Sequence, residues 1–88
     1  MSQFSIKDIE ALTGIKAHTL RIWEQRYSLP QPKRTESNIR YYDDDDLKLL
    51  LNVAMLNRHG HKISEITRLS EQQIRDIALD ISVNSTHQ

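Results

Sequence analysis

The 88-residue sequence contains no cysteine, only two glycines and two prolines, one tryptophan, and no net formal charge. The missing cysteines exclude disulfides and thiolate metal sites. No stretch approaches the ~18 apolar residues that cross a bilayer. Residues Met1 to Ile9 lack the apolar segment of a secretory signal. Two glycines, Gly14 and Gly60, are few for shaping the loops of a closed catalytic pocket. The expectation is therefore one small cytoplasmic domain that is not an enzyme. Its 38% apolar residues can bury only about 60–65% of the unfolded surface, which implies modest stability.

The zero net charge conceals a gradient. Residues 1–42 carry seven bases and four acids, giving +3, and residues 43–88 carry five bases and eight acids, giving −3. A basic half followed by an acidic half suggests a surface that faces a polyanion and one turned away from it.

Helix starts repeat one local pattern. Ser5 with Asp8, Asp43 with Asp46, and Ser70 with Gln73 have capping-box spacing. Each pair is framed by an apolar staple: Phe4 and Ile9, Tyr42 and Leu47, Leu69 and Ile74. These starts predict helices over 6–12, 44–58 and 71–81. A further helix over 17–27 is framed by Ile15 and Leu20, but its cap position holds Lys16, which cannot accept the free N–H groups. Gly14 suits the left-handed end of the first helix, so a turn of the helix-turn-helix kind is expected there. Ala11 is small enough for the two helices to press together.

Pro30 and Pro32 imply an extended connection. Residues 33–35 and 39–42 then read as a short hairpin, with Asn38 as the left-handed turn residue. In the helix over 44–58, Leu47, Leu50, Leu51, Ala54 and Met55 form the expected core stripe. Leu49, Val53 and Leu56 form a second stripe. A short helix follows around Ile63, Ile66 and Leu69. The core of the first helix is expected from Ile6, Ile9 and Leu12, and the polar end, 82–88, is expected to be a disordered tail.

At about 100° per residue, Leu20, Trp23 and Tyr27 share one side of the second helix. Ala17, His18, Arg21, Ile22 and Gln25 share the other, with Arg26 at its flank. Arginine reads guanine bidentately, glutamine reads adenine, and an apolar group meets the thymine methyl. Lys33, Arg34 and Arg40 make the hairpin basic, as phosphate contacts require. The four aspartates at 43–46 splay around a helix start and suit its positive end better than a metal ion. His59 and His61 lack a third ligand, and His87 lies in the tail.

The segments Ile6–Ile15, Thr19–Tyr27, Pro32-Lys33-Arg34 and Arg40-Tyr41-Tyr42 resemble the winged-helix domain of MerR-type transcriptional regulators. The resemblance runs from about Phe4 to Leu69. It is greatest to the branch containing the cobalamin-linked light-responsive regulators, where tryptophan precedes the glutamate. It implies a mainly α fold: a winged helix-turn-helix with a short β-hairpin wing and about five helices, over residues 1–81. It also implies a sequence-specific, double-stranded-DNA-binding transcription regulator, cytoplasmic and nucleoid-associated, with no cofactor in this segment. Arg21 would be the main base-reading residue, and Arg34 and Arg40 would be wing contacts. The candidate DNA-binding set is Lys16, Ala17, His18, Thr19, Arg21, Ile22, Gln25, Arg26, Lys33, Arg34, Asn38 and Arg40.

Three positions depart from the family pattern. Asn38-Ile39 stands where Gly-Tyr is usual, Lys16 where serine is usual, and Ile22 where tyrosine is frequent. The family also carries a C-terminal dimerisation or effector region, so the sequence reads as an excised domain whose self-association would rest on that missing region, or as a short natural protein whose partner supplies dimerisation. Two other functions fit the pattern. One is a protein-interaction module using Ile22 with Leu49, Val53 and Leu56. The other is an excisionase-like DNA-bending protein.

Overall fold

The computed structural model describes residues 3–31 and 33–85. The expectation placed on Pro32 therefore lies outside the described residues, as do those on residues 1–2, the last three residues of the tail and His87. In chain order the elements are α1 (Ile6–Thr13), α2 (Ala17–Tyr27), β1 (Lys33–Arg34), β2 (Arg40–Tyr41), α3 (Asp44–Arg58), α4 (Ile63–Ile66) and α5 (Glu71–Ser85). This is the expected mainly α architecture with a two-stranded hairpin. α5 runs past the expected end at residue 81, so residues 82–85 are helix rather than tail. Ile81 and Ser82 remain half-buried in that last stretch, and the Ser82 hydroxyl lies 3.6 Å from the Met55 sulfur of α3. Those contacts give the helix a reason to continue. Among the described residues no helix is long and apolar enough to cross a membrane.

All three capping boxes form. Ser5 Oγ accepts from the Asp8 N–H at 3.1 Å, while Asp8 accepts from the Ser5 N–H at 2.9 Å. Asp43 and Asp46 make the same exchange at 2.9 and 3.1 Å, and Ser70 and Gln73 at 3.1 and 2.9 Å. Each box satisfies two N–H groups that a helix start would otherwise leave free. Gly14 closes α1 with φ 78°, a conformation in which a side chain is strained.

α3 is the centre of the core. It packs on α5, α1 and α4, while α1 also packs on α2. Ile9, Leu20, Tyr42, Leu50, Val53, Leu56 and Ile66 are fully buried. Three apolar expectations are corrected. Leu12 is exposed and Thr13 is buried in its place. At 100° per residue Thr13 falls between Ile6 and Ile9, whereas Leu12 is turned about 60° beyond Ile9. The Thr13 hydroxyl is satisfied in the core, donating to the Ile9 carbonyl at 2.7 Å and accepting from the Ile15 N–H at 3.1 Å. Ala11 is also exposed, so it does not form the helix–helix contact. On α3, Leu51 is exposed while Val53 and Leu56 are at 0%. The buried arc centres on Leu50 and Val53, and Leu51 lies about 100° from Leu50 on the far side from Val53. Val53 and Leu56 consequently offer no surface for a protein-interaction module.

The hairpin pairs Lys33 with Tyr41 and Arg34 with Arg40 in antiparallel register. Its turn is closed by the Asn38 N–H to the Thr35 carbonyl at 2.8 Å, with Asn38 at φ 62° as expected. Phe4 and Tyr42 exchange backbone hydrogen bonds at 2.7 and 2.9 Å, fastening the segment before α1 to the residue after the wing.

Candidate nucleic-acid interface

α1 and α2 are joined through Gly14, Ile15 and Lys16. α2 buries Leu20, Trp23 and Glu24. Its opposite side is open: His18, Arg21, Gln25 and Arg26 are exposed, and Ala17, Thr19 and Ile22 are half-buried. The structure thus brings the seven α2 candidates onto the faces left free by the core, with Ile22 partly packed against the core. Arg26 lies over the Tyr27 ring, 5.7 Å from its centroid, which orients this cation at the helix end.

Lys16 occupies the cap position of α2 and makes no capping bond. The Ala17 N–H is satisfied instead by Glu10 Oε2 of α1, at 2.8 Å. A carboxylate at a helix N-terminus also suits the positive dipole end. Sequence reading missed this role because Glu10 lies seven residues away in another helix. Its signal is an acid on α1 that the first helix itself has no use for.

The wing candidates separate into two kinds. Arg34 is exposed, with Nη1 3.3 Å from the Asn38 carbonyl. Asn38 and Ile39 are exposed beside it. Lys33 and Arg40 are half-buried and paired with acids of other elements. Lys33 Nζ lies 2.8 Å from Asp46 Oδ2 and 3.5 Å from Asp43 Oδ2. The hydrogen bond to Asp46 is the main reason its pKa is raised above the ordinary lysine value, and the Asp43 carboxylate adds to it. Asp43 is itself held below the usual carboxylate range, chiefly by the Asp46 backbone hydrogen bond and also by Lys33. Lys33 therefore fastens β1 to the start of α3.

Arg40 Nη1 pairs with Glu24 Oε1 of α2 at 2.9 Å. Glu24 is buried, with a side chain only 4% exposed, and its Oε2 accepts the Tyr42 hydroxyl at 2.7 Å. Burial and then the Glu24 hydrogen bond push the Tyr42 phenol well above its ordinary pKa, which keeps it a donor. Sequence reading left Glu24 without a role. A lone acid on an otherwise apolar and basic helix was the available signal. Among the described residues no cluster of three or more His, Cys, Asp or Glu could hold a metal ion.

Residues 4–73 match the model of the MerR HTH family of regulatory proteins. The chain is 31% identical over 71 residues to the HTH-type transcriptional repressor CarH of Myxococcus xanthus, covering 81% of this chain and 24% of CarH. It is 39% identical over 62 residues to the repressor CarA of the same organism, covering 68% and 22%. The chain thus spans about a quarter of those relatives' length. Among solved structures, HiNmlR, a MerR family regulator lacking the sensor domain and bound to promoter DNA, superposes with a TM-score of 0.69. The identity is 27%, over 97% of this chain and 68% of that one. The family match runs through the helix pair, the wing and the core helix alike, and on that basis the chain belongs to the MerR HTH family of regulatory proteins.

Proposed function

We propose that this domain reads double-stranded promoter DNA for a bacterial transcription regulator. α2 lies in the major groove, and Lys16 and Arg34 bind flanking phosphates. The observation that carries this reading is the outward face of α2, where Arg21, Gln25 and His18 are exposed while Leu20 and Trp23 hold the helix to the core. Arg21 and Gln25 are the base readers, because both present paired groups that match a base edge. Ala17, Thr19, Ile22 and Arg26 border them. The intact protein self-associates through a region outside this segment and meets a symmetric operator. It belongs to the branch of cobalamin-linked light-responsive regulators. That assignment is supported by Trp23 before Glu24 and by the similarity to CarH and CarA.

The test is selection of bound duplexes from a random pool, then titration of Arg21→Ala against the selected and a scrambled sequence. Discrimination should fall by about 1–3 kcal/mol while the fold is retained. Unchanged discrimination would remove Arg21 from the reading role, and absence of any enriched sequence would overturn sequence-specific binding.

A further inference from the structure

We infer that Arg40 is a positioning residue: through Glu24 it sets the wing against the recognition helix, and it does not serve as a phosphate contact. The inference rests on the DNA-reading function proposed above. Three observations support it. The Arg40–Glu24 pair joins β2 directly to α2, the two elements assigned to DNA, at 2.9 Å. Glu24 is then gripped from a second direction by Tyr42, whose side chain is fully buried and whose backbone is fixed by Phe4 on both its N–H and its carbonyl. The carboxylate is thus a junction between α2, the wing and the segment before α1.

The third observation concerns what Arg40 can reach. Its Nε is buried without a hydrogen-bond partner among the described residues. The guanidinium belongs to a side chain 29% exposed, but it leaves its carboxylate only by stranding Glu24, whose side chain is 4% exposed, without a cationic partner. Across the hairpin its register partner is Arg34, which is exposed. Of two arginines facing each other, one is neutralised internally and the other is left to the solvent side. Like charges directly opposite on a sheet repel, and Glu24 relieves that repulsion. The wing's orientation relative to α2 is therefore fixed before DNA arrives.

The experiment measures binding of the 88-residue chain to a selected and a scrambled duplex over a range of salt. The variants are Arg40→Lys, Arg40→Gln and Glu24→Gln, each checked by circular dichroism. A positioning role predicts that Arg40→Lys, with its charge intact, loses discrimination about tenfold because one fixed base contact is misplaced. It also predicts an unchanged salt slope for Arg40→Gln, and weaker specific binding for Glu24→Gln. A direct phosphate contact predicts the reverse. Arg40→Gln would then flatten the log–log salt slope by about one, Arg40→Lys would bind like the parent, and Glu24→Gln would bind tighter by releasing the arginine. Any of these three results overturns the inference. Should Glu24→Gln fail to fold, the two Arg40 variants and Tyr42→Phe, expected to follow Arg40→Lys, decide it. A parent chain with no salt-dependent binding to any duplex would instead overturn the DNA-reading function, a result separable from failure of the variants alone.

Discussion

α2 and α3 begin in opposite ways. α3 starts with Asp43 and Asp46 exchanging hydrogen bonds, reinforced by Lys33 from the wing. α2 starts with a lysine that caps nothing, and a carboxylate from the neighbouring helix takes one of its N–H groups. The bodies of the two helices differ in the same sense. α3 buries Asp46, Leu50, Val53, Ala54 and Leu56, whereas α2 buries only Leu20, Trp23 and Glu24 and leaves cations and an amide outside. A helix that only supports the fold can spend its local sequence on its own stability. On the reading proposed for α2, its outer residues are kept for DNA, and its neighbours supply the stability.

The contrast breaks most visibly in the helix bodies. Leu50→Ala on α3 should destabilise the domain by about 2–5 kcal/mol in urea unfolding, because the side chain is fully buried. Gln25→Ala on the outer face of α2 should stay within about 0.5 kcal/mol of the parent in the same measurement.

The helix starts give the next largest effect. Lys16→Ser places an oxygen acceptor at the cap of α2 and should raise stability by about 0.5–1 kcal/mol. The same change should lower DNA affinity and reduce the salt slope by about one if Lys16 meets a phosphate. Thermal unfolding and a salt titration of the one variant measure both.

The smallest effect is the pH dependence of the Lys33 pair. The Lys33 pKa is raised in the folded state, so its contribution is present below its ordinary value of 10.5 and is lost as pH rises through the higher folded value. The Asp43 pKa is lowered, so its contribution is present above 3.8 and is lost as pH falls through the lower folded value. The difference in urea midpoint between the parent and Lys33→Met should be flat between those limits and shrink beyond both.

What the sequence made legible was local. Each capping box spans three residues, and each formed at the expected place. The left-handed turn at Asn38, the Gly14 stop and the outward face of α2 likewise follow from neighbours along the chain. Hidden features depended on contacts between distant positions: Glu10 with Ala17 seven residues on, Lys33 with Asp46 thirteen on, and Tyr42 with Glu24 eighteen away. The basic count of the hairpin left out the acids that Lys33 and Arg40 pair with, since a sum over residues has no term for which acid lies near. Leu12 and Leu51 were misplaced for a related reason. Hydrophobicity identifies candidates for the core, but the angle at which a helix meets its neighbours selects among them.

The hydrogen bond from Ala17 to Glu10 reaches further than the stability of one turn. Because the acceptor sits on a different helix, the first N–H of α2 keeps its partner whatever side chain stands at position 16. Position 16 can then carry a cation, a hydroxyl or an amide while that bond between α1 and α2 stays in place. A domain wired in this way can retune the charge at the start of α2 while its scaffold stays the same.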